Sequence, residues 1–155
     1  MSEADQAPRS RLRCSEIMTR NVKTAAAGSS LGDVAAIMRD GDMGAVPVVD
    51  GGKLVGIVTD RDIVIRGVAE GAGPGTPVSN VMTRDLFSVK PDNFVFEAIR
   101  LMGDKQVRRL PVIDSNGELK GIIAMADVAL ETEDEREIAE TLEEISSGSS
   151  FWSKS

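Results

Sequence analysis

The chain has 155 residues, a net charge of −7 and 41% hydrophobic residues, which is the composition of one compact globular domain or two very small ones. It contains no histidine, no tyrosine and a single cysteine, so Ser-His-Asp and Cys-His catalysis and imidazole-based zinc sites are excluded. Aromatic residues amount to 3% and the acids are concentrated from residue 131 onward, which leaves no basic, base-stacking face for nucleic acid.

The sequence also gives expectations about location. No apolar run approaches the ~20 residues of a membrane-spanning helix, so no membrane association is expected. The residues before Cys14 include arginines but no apolar core of ~7–15 residues, so no secretory signal is predicted. Because Cys14 has no internal disulfide partner, we expect a structural role for it and a reducing, cytoplasmic compartment.

Two stretches of the sequence repeat at a constant offset. Ser15–Arg20 returns as Ser79–Arg84, and Val46–Asp50 returns as Leu110–Asp114, both 64 positions later. Such self-similarity is typical of a duplicated structural unit. It predicts a flexible segment at 1–13, a first repeat at 14–71, a linker at 72–77, a second repeat at 78–130, and an acidic helix with a flexible tail at 131–155.

Each repeat is predicted to fold as β-α-β-β-α from its apolar spacing and turn residues. The first repeat has predicted strands at Val22–Thr24, Ala45–Asp50 and Leu54–Thr59, a helix behind the N-cap Ser30 with Leu31, Val34, Ala35 and Met38 on one face, and a helix at Asp60–Val68. The second has predicted strands at Phe87–Val89, Arg109–Asp114 and Leu119–Ala124, and helices at Asn93–Asp104 and from Met125. We expect an α/β (α+β) fold whose repeats pack sheet to sheet with pseudo-two-fold symmetry and share a core.

The last 25 residues are predicted to contain a further helix. Thr132–Glu135 has the capping-box pattern, and Ile138, Leu142 and Ile145 follow at helical spacing. Phe151-Trp152 is either an anchor on another surface or part of a frayed terminus.

The doubled β-α-β-β-α pattern resembles a tandem pair of CBS domains, also called a Bateman module. The resemblance covers residues 14–130 and rests on the strands with Pro47 and Pro111, the Gly-Ile strands and the Asp-containing helix starts. Gly56–Val64 and Gln106–Val112 are similar to small stand-alone bacterial members, including the hypoxic-response type. The resemblance implies a non-enzymatic module that binds adenosine-containing ligands between its repeats and forms a homodimer.

The family's ribose motif, Gly-h-x-Ser/Thr-x-x-Asp with h apolar, occurs intact from Gly56 to Asp62. The resemblance implies that Asp62 accepts the ribose hydroxyls while Thr59 faces a phosphate. The same Thr-x-x-Asp spacing is that of a helix capping box, and the two roles can coexist. In the second repeat Ala124 replaces the threonine and Asp127 remains, so we expect Asp62 to mark the better phosphate site.

The family's geometry implies further binding residues. Arg108 and Arg109 are expected to contact phosphate, or alternatively to be strand-edge charges that pair with Asp or Glu across a dimer. The other candidates are Arg61 as a weaker phosphate contact or a solvated residue, Val22 and Lys23 for backbone hydrogen bonds to adenine, and Val46 and Pro47 as an apolar wall. Pro47 and Pro111 are alternatively edge-strand markers. Met18, Met38, Met82 and Met102 are predicted to fill the core.

The sequence is compatible with two functions. The first is an adenine-nucleotide sensor, with AMP preferred over ADP, ATP, NAD and S-adenosylmethionine, and with no metal required. The second is a ligand-free protein-interaction module that acts through dimerisation and through the acidic C-terminal helix with Phe151-Trp152. The homodimer itself is expected from the resemblance, and apolar helix positions expected to be exposed, such as Ile63 and Leu101, favour it. Catalysis by paired carboxylates is not expected, because Asp60 and Asp62, two residues apart on a helix, do not face each other.

Overall fold

The computed structural model describes residues 11–131 and 143–145. Predictions for Thr132–Glu135, Ile138, Leu142 and Phe151-Trp152 lie outside these residues. In chain order the elements are α1 (Cys14–Ile17), β1 (Ala25–Ala26), α2 (Leu31–Gly41), β2 (Ala45–Asp50), β3 (Lys53–Thr59), α3 (Asp60–Asp62), a π-helical turn (Ile63–Gly67), two 3₁₀ turns (Val68–Glu70 and Val78–Asn80), α4 (Val95–Lys105), β4 (Arg109–Ile113), β5 (Leu119–Ala124) and α5 (Met125–Glu131).

The chain divides into two compact units. Among the described residues, the first unit comprises 21–86 and 116–119, and the second comprises 11–20, 87–115, 120–131 and 143–145. Each unit has one small sheet, with the strand order β1-β2-β3 in the first and the pair β4-β5 in the second. The predicted mixed α+β fold is therefore confirmed, whereas the packing of the two sheets against each other stays a prediction.

The sheet of the first unit is centred on β2. It pairs in parallel with β1, where Ala25 lies opposite Val48, and antiparallel with β3 across the Gly51-Gly52 turn. Both turn glycines have positive φ, as the predicted hairpin requires. The interpretation of Pro47 as an edge-strand marker is wrong, because β2 has a neighbour on each side. Pro47 is tolerated because the pairing with β1 begins only at Val48.

The first strand of each repeat differs from its prediction. Strand pairing begins at Ala25, whose side chain is buried, and Val22–Thr24 is not a strand because Lys23 and Thr24 are exposed there. Phe87–Val89 is likewise not a strand, since only Val89 forms a single parallel bridge, to Val112 of β4. In both segments too few residues are paired with a neighbouring strand to form a regular strand.

The two long helices match their prediction closely. Ser30 caps α2 by accepting a 3.1 Å hydrogen bond from the amide of Asp33. The apolar face of α2 is buried except at Ala35, which is exposed. Helix α4 begins at Val95, two residues later than predicted, because Glu97 accepts a hydrogen bond from the amide of Phe94. The predicted inward residues of α4 are all buried: Val95, Ala98, Ile99 and Met102.

The helix after β3 departs from its predicted regular form. It is α-helical only at Asp60–Asp62, widens into the π-helical turn and ends at Gly71, which has φ +83°. Three apolar side chains of this segment are exposed: Val64 at 54%, Ile65 at 48% and Val68 at 64%. Ile63 and Leu101, the predicted dimer positions, are instead packed against the cores of the first and second unit.

The four methionines at matched positions of the two repeats lie in the cores. Met38 and Met82 are buried in the first unit, and Met18 and Met102 in the second, as predicted. Ile145, from the predicted acidic helix, is only 4% exposed and belongs to the core of the second unit. This part of the C-terminal segment is therefore an integral element of that unit.

Each unit also contains the opening segment of the other repeat. Thr83 pairs with Ile57 of β3 through reciprocal amide-to-carbonyl hydrogen bonds of 2.8 and 3.0 Å, within the first unit. Thr19 pairs with Ile122 of β5 in the same way and at the same two distances, within the second unit. The repeats defined by the sequence and the compact units therefore have different boundaries.

Glycine is what permits this pairing. A Cβ atom on Gly121 would lie 2.5 Å from the carbonyl oxygen of Thr19, and one on Gly56 would lie 2.6 Å from the sulfur of Met82. Real side chains essentially never approach so closely, so a larger residue would push the paired segment away from the strand.

Replacing Gly121 with alanine is expected to destabilise the protein. The clash is with backbone, so relief requires Thr19 to shift and its hydrogen bonds with Ile122 to lengthen. We expect a loss of about 1–3 kcal/mol in the free energy of unfolding, measured by urea denaturation. Gly73→Ala is the matched control, because nothing lies within 4 Å of its Cβ position. Equal stability of the two variants would contradict the role of Gly121.

Candidate functional site

The intact motif of the first unit forms a reciprocal capping box where β3 ends. The Thr59 hydroxyl oxygen accepts a hydrogen bond from the amide of Asp62, and the Asp62 carboxylate oxygen Oδ2 accepts one from the amide of Thr59, both at 3.0 Å. β3 delivers Thr59 to this point because the strand pairs with β2 up to Ala45, opposite Thr59. The predicted capping role is therefore present, and the Asp62 side chain is fixed in one direction.

Two residues that the sequence analysis did not select also hold Asp62. The Thr83 hydroxyl donates to Oδ2 of Asp62 at 3.4 Å, and Nε of Arg66 lies 3.9 Å from Oδ1. Arg66 additionally donates to the carbonyl oxygens of Val81 and Met82, at 3.3 and 3.4 Å. The repeat of the Met-Thr pair at an offset of 64 was the available signal for Thr83, although it indicated duplication and not a site.

Asp60 makes two further hydrogen bonds at the same helix start. Its carboxylate oxygen Oδ1 accepts a 2.8 Å hydrogen bond from the amide of Arg61, and its own amide donates to the carbonyl of Gly44 at 2.9 Å. A Cβ atom on Gly44 would lie 3.2 Å from Oδ2 of Asp60. The absence of a side chain at Gly44 therefore leaves the space that the Asp60 carboxylate occupies.

The remaining candidates of the first unit differ in their environments. Val22 is half-buried and Lys23 is exposed, both on the segment that leads into β1. Val46 and Pro47 are buried in β2, opposite Val58 and Ile57 of β3. The exposed Arg61 side chain belongs to the helix start itself.

The second unit has a reduced version of the box. Oδ2 of Asp127 accepts a 3.0 Å hydrogen bond from the amide of Ala124, but Ala124 has no hydroxyl to return the bond. The amide of Met125 donates to the carbonyl of Arg108 at 2.9 Å, as that of Asp60 does to Gly44. Arg108 and Arg109 are both exposed. The candidates Arg108, Arg109 and Asp127 thus belong to the second unit, and the other seven predicted site residues belong to the first.

A family model described as CBS domain matches residues 14–67 and 78–134. The two matches together cover more than half of the chain, so this protein belongs to the CBS-domain family and carries two such domains. The prediction of a tandem CBS pair is confirmed.

Two curated bacterial relatives show how similar the chain is to small members of the family. CBS domain-containing protein YhcV of Bacillus subtilis is 41% identical over 115 residues, which are 74% of this chain and 81% of the relative. Hypoxic response protein 1 of Mycobacterium tuberculosis is 39% identical over 116 residues, 74% of this chain and 80% of the relative. The predicted similarity to the hypoxic-response type is confirmed.

Three solved structures share the fold and carry bound groups. Hypoxic Response Protein I with two coordinated zinc ions superposes with a TM-score of 0.71 and 34% identity, over 77% of this chain and 98% of its own. CBSX2 in complex with AMP gives 0.69 and 26%, over 77% and 94%. The CBS domain pair of MJ0100 in complex with 5′-methylthioadenosine and S-adenosyl-L-methionine gives 0.68 and 26%, over 76% and 93%.

The described residues show no cluster of metal-ligating side chains. Within 11–131 and 143–145 no group of three or more Cys, Asp or Glu side chains is placed to hold a metal ion, and the chain has no histidine. Burial and, to a lesser extent, the negative charge of Glu97 raise the pKa of the Cys14 thiol to about 11. Cys14 is therefore a protonated core side chain at neutral pH.

None of the helices in the described part of the chain combines the length and the apolar character that crossing a bilayer demands.

The structural role of the capping box can be tested in the absence of any ligand. Thr59→Ala removes the acceptor of the Asp62 amide and is expected to lower the free energy of unfolding by about 0.5–2 kcal/mol. Ala124→Thr supplies the missing hydroxyl in the second unit and is expected to raise it by a similar amount. Urea denaturation of both variants measures the effect, and changes of the same sign would contradict the capping account.

Proposed function

We propose that this protein is a non-enzymatic regulatory module that binds an adenosine-containing ligand at the Thr59–Asp62 box of the first unit. The observation that carries the proposal is the Asp62 carboxylate, held by Thr59 and Thr83 in an intact copy of the family's ribose motif. The complexes of CBSX2 with AMP and of MJ0100 with 5′-methylthioadenosine and S-adenosyl-L-methionine support an adenosine-type ligand.

The chemistry of Asp62 suits the adjacent hydroxyl groups of a ribose. Oδ2 already accepts from the Thr59 amide and the Thr83 hydroxyl. Among its described neighbours, Oδ1 has only the Arg66 guanidinium at 3.9 Å, so it keeps the capacity to accept from a sugar hydroxyl. The Asp62 side chain is 13% exposed, and a charge-assisted hydrogen bond is stronger in such partly desolvated surroundings.

The second unit is proposed as the weaker site. Asp127 keeps the carboxylate, but Ala124 cannot supply the second hydrogen bond that orients Asp62 in the first unit. Arg108 and Arg109 remain proposed anion contacts of the second unit, supported by their exposure and by the bond from Met125 to Arg108.

A binding role and not a catalytic one is proposed because the acidic side chains are already engaged. Asp60 accepts from the amide of Arg61, and Asp62 accepts from that of Thr59. A cytoplasmic location is proposed from the single buried cysteine.

Homodimerisation is proposed to accompany binding. The exposed apolar side chains of Val64, Ile65 and Val68 support a contact surface on the π-helical turn and the 3₁₀ turn that follows it. The competing function, capture of a partner by the acidic C-terminal helix, loses one of its apolar contacts, because Ile145 is buried within the second unit.

Asp62→Asn tests the proposed site. The amide keeps the size and one acceptor oxygen of the carboxylate but removes its charge, so we expect the affinity for 5′-methylthioadenosine to fall about tenfold, the size of one charge-assisted hydrogen bond. Isothermal titration calorimetry of the full chain measures the dissociation constant, with guanosine as the base control.

Asp127→Asn is the matched control, because it makes the same substitution in the second unit. We expect it to change the affinity less than Asp62→Asn does. An unchanged affinity in Asp62→Asn, or an equal loss in both variants, would contradict the assignment of the site.

A further inference from the structure

The backbone amides at the start of α3 already donate hydrogen bonds within the chain, so none of them is available to a phosphate. Phosphate groups bind helix starts through backbone N–H donors that the helix itself does not use. In the first unit, each of four consecutive amides already has an acceptor within the chain. Thr59 donates to Asp62 Oδ2, Asp60 to the Gly44 carbonyl, Arg61 to Asp60 Oδ1, and Asp62 to Thr59 Oγ1, at 2.8 to 3.0 Å.

Asp60 also brings negative charge to the place where an anion would bind. Its carboxylate lies 2.8 Å from the amide of Arg61 and against Gly44, so a phosphate would have to displace one carboxylate while approaching another, Asp62. Arg66 already offsets the charge of Asp62, whose Oδ1 lies 3.9 Å from its Nε, and its Nη1 donates to two backbone carbonyls. Arg61 is the other cation of this helix start, and its contribution is therefore tested separately below.

This arrangement is specific to the first unit. At the corresponding positions of the second unit, Met125 replaces Asp60, Ala124 replaces Thr59 and Arg108 replaces Gly44. The backbone bond between the paired positions is the same in both units, at 2.9 Å. The carboxylate of Asp60 is thus an addition to a shared backbone geometry and not a requirement of it.

We propose that the first unit selects adenosine derivatives without a 5′-phosphate, a nucleoside or a 5′-thioether nucleoside, and that Asp60 is the residue that disfavours nucleotides. This inference rests on the proposed function, since it takes Asp62 as the contact for the sugar. It reverses the expectation from the sequence that the intact motif marks the better phosphate site.

The test is isothermal titration of the full chain with 5′-methylthioadenosine and with AMP. The wild-type protein is expected to bind 5′-methylthioadenosine at least about tenfold more tightly than AMP, the size expected for a carboxylate facing a phosphate dianion near solvent. Asp60→Asn keeps an oxygen for the Arg61 amide but removes the charge. It is expected to lower the ratio of the AMP dissociation constant to the 5′-methylthioadenosine dissociation constant about tenfold, chiefly because AMP binds more tightly.

Two further variants serve as controls. Asp40→Asn removes the same charge from an exposed position on α2, where the carboxylate is paired with Arg39. It is expected to leave the ratio within about twofold, because exposed charges are screened by salt. Arg61→Ala is expected to leave AMP binding weak. If AMP binds the wild type as tightly as 5′-methylthioadenosine does, or if tight AMP binding is lost in Arg61→Ala, the inference is wrong. Either result leaves the proposed function standing. Absence of binding by every adenosine ligand overturns both.

Discussion

The pairing of each Met-Thr segment with a glycine-containing strand is the constraint on which the rest of the structure depends. Gly56 and Gly121 leave room for backbone-to-backbone hydrogen bonds with Thr83 and Thr19, and any side chain would occupy that room. In the first unit the same pairing places the Thr83 hydroxyl at Asp62. The position of the candidate ligand contact is therefore a consequence of how the opening segment of the second repeat packs.

The sequence predicted the elements whose signals are local. The N-cap Ser30, the Gly51-Gly52 turn and the inward face of α4 each follow from a few neighbouring residues, and the structure confirms them. The short strand β1 was misplaced because its limits are set by its partner β2, far along the chain. The role of Thr83 was missed for the same reason, since its contact with Asp62 joins two different repeats of the sequence.

Duplication and divergence together explain the chemistry of the site. Both units retain the backbone bond at the helix start and a carboxylate on its first turn, at Asp62 and Asp127. Only the first unit has the complete capping box and the additional carboxylate of Asp60. One backbone framework thus presents two helix starts with different side chains, and our proposal of unequal ligand preference rests on that difference.

We propose that the Asp62 carboxylate, fixed by Thr59 and Thr83, is the contact for an adenosine sugar. A crystal structure of the protein grown with 5′-methylthioadenosine tests it most directly. We expect a ribose hydroxyl oxygen within about 3.2 Å of a carboxylate oxygen of Asp62 in the first unit. A ligand bound only at Asp127, or one that makes no contact with either carboxylate, would contradict it.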